Sequence, residues 1–377
     1  MFKLSFIPCF FLFLSVVLIP QPSFAEDIVI GVIGGLTGAG ASYGKGIVQG
    51  AQMAVDEINA EGGINNKKIV LKIVDDTSEP ARSALAMRRL ISSSPNVIVG
   101  GWGSSQVLSH MDFAEQSAIP YIVVGATSPH ITTQLNKWIF RVIPSDKVIV
   151  EALAEYLVKQ GKRSIAIIHD RNAYGSASRD IFNIALSNHG IRPTVIQSYG
   201  TSDQVFQRQL TIINQNNPDS LVIFGTVPAA PLIIKQARAM EIMVPFFGTG
   251  GLANNRLIKQ APAASEGTML ISFYHSELNE DVRQWHSRYL ERYADIQNPN
   301  PGNAIFEYSA IRHIVAPCLR KNESSHVALR NCIANWKGKF TGATGELFFN
   351  ADGQLGTAPI PIRINRGAFQ LISNELP

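Results

Sequence analysis

Glycines and hydroxyl side chains follow several apolar runs of this sequence, at the points where strands are expected to end. One run, residues 97–99, passes into GGWGSS at residues 100–105, and the next ends in GATSP at residues 125–129. Exposed main-chain groups and small hydroxyl side chains could bind a phosphate, carry a nucleophile on a turn, or line a pocket for a small organic molecule. Similar stretches are LTGAGASYG at residues 36–44 and GTGGLAN at residues 248–254.

The two neighbouring motifs can bind a carboxylate without a charged side chain. Hydroxyls and the N–H groups of helix N-termini donate hydrogen bonds to small anions, and Ser104, Thr127 and the amides around Gly103 and Gly125 are of this kind. Taken singly, Ser104 could only cap the helix that follows, and Thr127 could only be a turn residue. Because each hydroxyl follows a neighbouring strand and precedes a helical pattern, a shared pocket is favoured.

Spacing argues against several other chemistries. A dinucleotide fingerprint GxGxxG fails because its third glycine would fall on Tyr43, and neither GxxxxGK[ST] nor GxSxG occurs. The histidines do not stand at metal-ligand spacing with one another or with a cysteine, so neither a metal nor a cofactor is predicted. No nucleophile with an accompanying base is visible, and an enzyme is therefore not expected.

Two series of β-branched runs alternating with helical periodicity predict an α/β fold with two lobes, each a mainly parallel sheet flanked by helices. The first series runs from residue 27 to PYIVVG. The second begins after FRVIPSD, where Ser145 is expected to cap a helix. Helices near 280–297, 303–318 and 326–335 follow, and the tail returns to strands in GELFF, IPIRI and AFQLI. No low-complexity linker separates the lobes, which favours short, ordered hinge crossings.

The first 25 residues have the features of a cleavable secretory signal ending at Ala25. Lys3 precedes an apolar run that is too short and too interrupted for a membrane anchor, and small residues precede the cleavage point. Cys9 lacks the small residues that precede a lipidated cysteine. Cys318 and Cys332 then remain in an oxidising compartment, where a disulfide is predicted, with two buried free thiols as the alternative.

Charge and length restrict the possible partners. The 377 residues carry 33 Lys and Arg against 29 Asp and Glu, a formal net charge of +4, and so mild a basic balance does not indicate nucleic-acid binding. A chain of this length is expected to divide into two lobes rather than enlarge a single core.

The chain resembles the periplasmic leucine/isoleucine/valine-type solute-binding proteins of ATP-driven importers. The resemblance is carried by the strand order, by AVDEINAEGGINNKKIVLKIVDDTSEP, GATSP, FRVIPSD and AYG, and by the ending TGATGELFFNADG. It implies a two-lobed clamp with three crossovers that closes on a small ligand and docks on a membrane permease. We therefore expect a periplasmic monomer that captures a carboxylate-bearing solute for an ABC permease; a sensory module of the same fold is the alternative.

We assign residues 26–144 and 274–341 to lobe 1 and residues 145–273 and 342–377 to lobe 2. The predicted hinges lie near Pro144, Phe273 and Thr341.

Carried over by position, the resemblance implies roles for individual residues. Ser104 and Thr127, with main-chain groups at Gly103 and Gly125, would hold the carboxylate of the ligand. The pocket walls would be formed by Tyr43, Trp102 and Tyr174. Trp102 could instead be a helix–sheet packing residue, and Tyr174 could be only a helix-entry residue.

The sequence departs from the family pattern on the second lobe. Binders of α-amino acids in this family usually place an acidic residue where this chain has Gly250, and an aromatic where it has Thr226 or Val227. A desolvated ammonium without a partner costs several kcal/mol. The ligand is therefore either a carboxylate without an ammonium group, or an ordinary amino acid paired with another acid such as Asp170 or Glu115.

Overall fold

The computed structural model describes residues 27–133, 136–294, 301–321, 325–343 and 346–372. The predicted signal peptide lies outside the described residues, as do positions 344–345 of the motif TGATGELFFNADG. None of the described helices combines the length and the apolar character that a membrane span needs. Within these same ranges, no group of three or more His, Cys, Asp or Glu side chains could hold a metal ion.

Five parallel strands of the described chain form the first sheet. They are β1 (Ile28–Gly34), β2 (Ile69–Asp75), β3 (Val97–Gly100), β4 (Tyr121–Val123) and β5 (Ile139–Arg141). Their order is β2-β1-β3-β4-β5, with the half-exposed β2 at one edge. The strands β3 and β4 are buried along their whole length, as expected for parallel strands covered on both faces by helices.

Three helices follow the first strands in the predicted alternation. They are α1 (Ala41–Ala60), α2 (Pro80–Ser92) and α3 (Ser104–Gln116). Pro80 opens α2, where its fixed φ and missing N–H suit the first helical turn. The apolar face of α1, including Ile47, Ala51 and Ile58, is buried in the first core as its period of 3.6 residues predicts.

The second sheet begins with β6 (Ile165–Asp170), β7 (Val195–Tyr199), β8 (Ser220–Phe224), β9 (Phe246–Thr249) and β10 (Met269–Ser272). The helix α4 (Asp146–Lys159) precedes β6, and the helices between the strands are α5 (Ala173–Ser187), α6 (Gln207–Gln215), α7 (Ala229–Ala239) and the short α8 (Asn255–Gln260). Ser145 caps α4 as predicted, since its Oγ accepts a hydrogen bond of 3.3 Å from the Lys147 N–H.

The chain then returns to the first lobe. The helices α9 (Glu280–Arg292) and α10 (Pro301–Ser309) contribute Trp285, Tyr289 and Phe306 to the first core. A π-helical turn, Ala310–Val315, interrupts the helix predicted for 303–318 before α11 (Ala316–Arg320) and α12 (His326–Ala334). The strands β11 (Lys337–Lys339) and β12 (Glu346–Phe348) form a small antiparallel pair.

The tail completes the second sheet with two antiparallel strands, β13 (Ile360–Asn365) and β14 (Ala368–Leu371). The final order is β14-β13-β10-β9-β8-β6-β7. The two sheets with their helices confirm the predicted two-lobed α/β fold.

The third connection between the lobes differs from the predicted hinge at Thr341. Leu347, Phe349 and Leu355 belong to the core of the first lobe, so the chain leaves that lobe only in residues 356–359. The side chain of Gln354 ties this connection to the first one, because it donates to the Ile143 carbonyl and accepts from Arg141 Nε. Because these three apolar side chains pack in the first lobe, the boundary between the lobes lies after the β11–β12 pair and not near Thr341.

The disulfide prediction is confirmed, because Cys318 and Cys332 are bonded to each other. The bond joins α11 to α12, and Cys318 is buried in the first core. The disulfide therefore holds α12 against α11 in the first lobe.

Replacing both cysteines (C318A/C332A) is expected to lower the free energy of unfolding by about 3 kcal/mol, because the unfolded chain regains the entropy of a loop about 15 residues long. Urea denaturation of the two proteins measures the difference. Reductant should reproduce the loss in the wild type and leave the variant unchanged. An unchanged stability in the variant would contradict a structural role for the bond.

Candidate ligand-binding cleft

A cavity of about 210 Å³ lies between the two sheets, beyond the carboxyl ends of their parallel strands. An apolar cavity of about 150 Å³ can hold benzene, so this space is large enough for one small organic solute. The walls come from the loops after β1, β3 and β4 on one side and after β6, β8 and β9 on the other. Parallel strands place their loops at one edge, so motifs distant in sequence meet here.

The structure brings together all the predicted site residues except Val227. From the first lobe the cavity is lined by Tyr43, Trp102, Gly103, Ser104, Gly125 and Thr127. From the second lobe it is lined by Tyr174, Thr226 and Gly250. Val227 lies behind this wall, where its main-chain N–H donates to the Tyr43 hydroxyl at 3.2 Å.

Several lining residues were not predicted from the sequence. They are Ala39, Ser78, Pro80, Ser105, Gln106, Asn172, Thr201, Gly251, Phe273 and Asn303. Ser105 and Gly251 stand beside predicted residues, so a wider reading of the same motifs would have found them. Asn303 comes from α10, more than 170 residues after Thr127, and no local pattern connects it with the pocket.

The backbone conformation after β3 requires the first two glycines of GGWGSS. Gly100 and Gly101 have φ of +135° and +80°, in the range that residues with a Cβ rarely adopt. A Cβ on Gly101 would also lie 2.2 Å from the Tyr121 hydroxyl. The two glycines therefore let β3 turn sharply and present the first turn of α3 to the cavity.

The first turn of α3 offers free hydrogen-bond donors to the cavity. Gly103, not Ser104, is the N-cap, and it supplies no side-chain acceptor for the first amides of the helix. Ser104 is buried, and its Oγ accepts from the Ser128 N–H at 3.2 Å, which leaves its own proton for another acceptor. Ser104 therefore joins the two neighbouring motifs rather than capping its helix.

Thr127 is linked to the start of the second lobe. Its carbonyl accepts from the Asp146 N–H at 2.8 Å, and its hydroxyl lies beside the Asp146 carboxyl. Burial raises the pKa of Asp146 to about 7, and the Thr127 hydroxyl and the Arg141 guanidinium partly offset that rise. Thr127 is thus both a turn residue, as the alternative proposed, and part of the cavity wall.

Trp102 both packs and lines the cavity. Its ring stacks on that of Tyr43 with centroids 5.3 Å apart, and a Cβ on Gly40 would lie 2.2 Å from the indole. The indole lies near the buried carboxyl of Asp76. Trp102 is thus held in place by α1 on one side and by the loop after β2 on the other.

Tyr43 crosses the cleft and packs into the core of the second lobe. Its hydroxyl donates to the Gly251 carbonyl at 2.8 Å and accepts from the Val227 N–H. Burial raises the pKa of this phenol, which therefore stays neutral. A second cross-cleft bond runs from the Ala173 N–H to Ser105 Oγ at 2.9 Å. The structure is therefore closed around the cavity.

Tyr174, the second residue of α5, forms the opposite wall. Its hydroxyl is hydrogen-bonded to Thr249 Oγ1 at 2.5 Å, and Asn172 caps the helix through a bond from the Gly175 N–H. Tyr174 therefore lies at the start of a helix, as the alternative interpretation has it. Its side chain is also buried and lines the cavity.

Among the described residues that line the cavity, none has a charged side chain. Asp170 accepts from the Thr201 hydroxyl and lies outside the lining, and Glu115 accepts from the Lys137 and Trp138 N–H groups near the C-terminal end of α3. Neither alternative acid reaches the cavity. Position 250 likewise brings no carboxylate, because it is glycine.

The sequence and the fold match known proteins. The family model described as "Periplasmic binding protein" matches residues 27–367. The Leu/Ile/Val-binding protein BraC3 of Rhizobium johnstonii is 30% identical over 244 residues, which span 64% of this chain and 66% of that relative, about two thirds of its length.

Two solved structures illustrate the likeness of fold. A branched-chain amino acid transporter substrate binding protein from Streptococcus pneumoniae, in complex with isoleucine, has a TM-score of 0.84, 24% identity, and coverage of 92% of this chain and 98% of that one. A solute binding protein of an ABC transporter from R. palustris, in complex with benzoate, has a TM-score of 0.84, 20% identity, and coverage of 93% and 97%.

The carboxyl of Asp76 is buried behind Trp102, and its titration tests how Trp102 is packed. Burial raises the pKa of Asp76 to about 6 from 3.8, so the folded protein binds the proton more tightly than the unfolded chain. The unfolding free energy should therefore fall as pH rises from 4 to 6, by up to about 3 kcal/mol. The variant D76N should lose this decline, which urea denaturation across the pH range measures.

The neighbouring Asp75 is the matched control for that measurement. Burial of Asp75 is outweighed by hydrogen bonds from Thr37 and from nearby main-chain N–H groups, so its pKa is lowered. Its contribution to stability should have the opposite sign and be lost as pH falls, and D75N should remove it. Parallel pH profiles for the wild type and D76N would show that Asp76 is not buried as described.

Proposed function

The chain belongs to the periplasmic binding protein family, and we propose that it captures a small carboxylate-bearing solute between its lobes and delivers it to the permease of an ABC importer. The observation that carries the proposal is the closed, uncharged cavity with unpaired helix amides and the Ser104 hydroxyl along one wall. Such donors bind an anion without a formal positive charge.

Ligand capture proceeds by closure of the lobes over the carboxylate. In the open state, the solute binds the first turn of α3 and the loop of Ser104 and Thr127. Closure then makes the Tyr43 bonds to Gly251 and Val227 and the Ser105 bond to Ala173. The motion is divided over the three connections, at residues 142–145, 273–279 and 356–359. Only the closed form brings both lobes together as one surface for the permease.

The site binds its ligand and performs no covalent chemistry. The described lining contains serine, threonine and tyrosine hydroxyls but no histidine, carboxylate, lysine or cysteine that could act as a base or nucleophile beside them. Export by residues 1–25, with cleavage after Ala25, would place the mature monomer in the periplasm.

The double variant S104A/T127A tests the proposed carboxylate site. A hydrogen bond to a charged group contributes about 1.5–3 kcal/mol, and the Thr127 hydroxyl also faces Asp146, so affinity for the tightest carboxylate of a thermal-shift panel should fall at least 10-fold. Isothermal titration calorimetry measures the change. Unaltered binding in a folded variant would rule out this site.

Ser109→Ala is the matched control for that variant. Ser109 is on the same helix, but its hydroxyl donates to the Pro80 and Gln106 carbonyls and does not line the cavity. Its removal should leave affinity unchanged. A similar loss in both variants would indicate general damage to α3 rather than a ligand contact.

Transport can be separated from sensing in cells. Deleting the gene should abolish uptake of the radiolabelled ligand, and the wild-type copy should restore uptake while a copy carrying S104A/T127A should not. Full uptake in the deletion strain, combined with a lost transcriptional response to the same solute, would contradict transport and support the sensory alternative.

A further inference from the structure

Resting on the proposed function, we propose that the ligand is a monocarboxylate with an apolar body and no ammonium group, and that Phe273 is the residue that selects it. Phe273 belongs to the second connection between the lobes and lines the cavity. The inference follows from what occupies the second-lobe wall, and from which hydrogen-bonding groups there are already engaged.

Phe273 occupies the space next to Gly250. An ideal Cβ on Gly250 would lie 2.3 Å from Cε1 and 2.6 Å from Cδ1 of the phenylalanine ring. An acidic side chain at position 250 would therefore collide with the ring. The glycine and the phenylalanine together leave no room for a protein carboxylate in this part of the wall. The ring is itself held by an edge contact with Phe306, with centroids 5.7 Å apart. This part of the wall is apolar and fixed.

Several main-chain acceptors near the cavity already accept a hydrogen bond within the protein. The Gly251 carbonyl accepts from Tyr43, the Gly250 carbonyl from the Ala253 N–H, and the Thr226 carbonyl from the Ala230 N–H. On the first lobe, the Thr127 carbonyl accepts from the Asp146 N–H. A desolvated cation needs acceptors or a counter-ion, and its burial without them is strongly unfavourable.

The buried carboxyls near the cavity do not replace the missing acid. Asp146 is buried outside the lining, where burial raises its pKa and so disfavours the negative charge that would pair with an ammonium group. Asp76 is buried behind Trp102 and also lies outside the lining. Neither carboxyl therefore forms part of the described cavity wall.

The remaining surface suits an apolar body attached to a carboxylate. The Ser104 hydroxyl and the first amides of α3 are at one wall, and the rings of Trp102, Tyr43 and Phe273 supply apolar area elsewhere. Aromatic side chains provide large hydrophobic contacts of defined shape. The cavity volume of about 210 Å³ suits a body of a single ring or a short branched chain.

Matched pairs of compounds that differ in the ammonium group test the proposal. The mature chain, residues 26–377, is titrated in a calorimeter with L-leucine and 4-methylpentanoate, and with L-phenylalanine and 3-phenylpropanoate. Benzoate and glycine betaine are separate arms. The ammonium-free member of at least one pair, or benzoate, should bind at least 100-fold more tightly than every amino acid tested.

The outcomes separate the two proposals. Comparable or tighter binding of an amino acid, or selective binding of glycine betaine through its cation, would overturn this inference and leave solute capture intact. If no compound of the panel binds and the protein is folded, the proposed function fails, and the inference fails with it. Tight binding of an ammonium-free acid that S104A/T127A abolishes would support both.

Variants at the second connection test the role of Phe273. F273L keeps an apolar side chain and should weaken binding of the preferred carboxylate about 10-fold without reversing the preference within a pair. G250E/F273A makes room for an acid and should shift the preference toward the amino acid at least 10-fold. If neither variant changes affinity or preference, Phe273 does not select the ligand, and F273L tests this even if the double variant fails to fold.

Discussion

The hydroxyl of Tyr43 constrains the whole molecule, because it joins a helix of one lobe to two loops of the other. Its bonds to Gly251 and Val227 form only when the lobes meet, and its ring stacks on Trp102 at the edge of the cavity. Closure at this point removes water from the space between the sheets. Each polar group left inside must then find a partner in the protein or in the ligand.

That requirement explains the chemistry of the cavity. Charged side chains are absent from its described lining, and the buried Asp146 lies outside the wall. The donors that stay unpaired are N–H groups in the first turn of α3, which have no acceptor within the helix. A ligand that brings one carboxylate and no cation satisfies them and leaves no charge of its own unpaired.

The sequence predicted the fold well because the strands are short, β-branched and separated by clear helical periods. It missed β5, because FRVIPSD, which contains Phe140 and Arg141, was interpreted only as the segment before the second series, and it placed the third hinge at Thr341 because the packing of Leu355 in the first core is a long-range contact. It identified the hydroxyl motifs of the site from local composition. The blocking of Gly250 by Phe273 could not be foreseen, since it depends on how two neighbouring strand ends pack.

The most direct test of the central claim compares Y43F with the wild type by small-angle X-ray scattering during titration with the preferred carboxylate. The account predicts that the radius of gyration of the wild type decreases as ligand binds, and that Y43F needs about tenfold more ligand for the same decrease. Tyr293→Phe, whose hydroxyl bonds to Gln49 within one lobe, should behave like the wild type. Equal compaction of Y43F at equal ligand concentration would contradict the account.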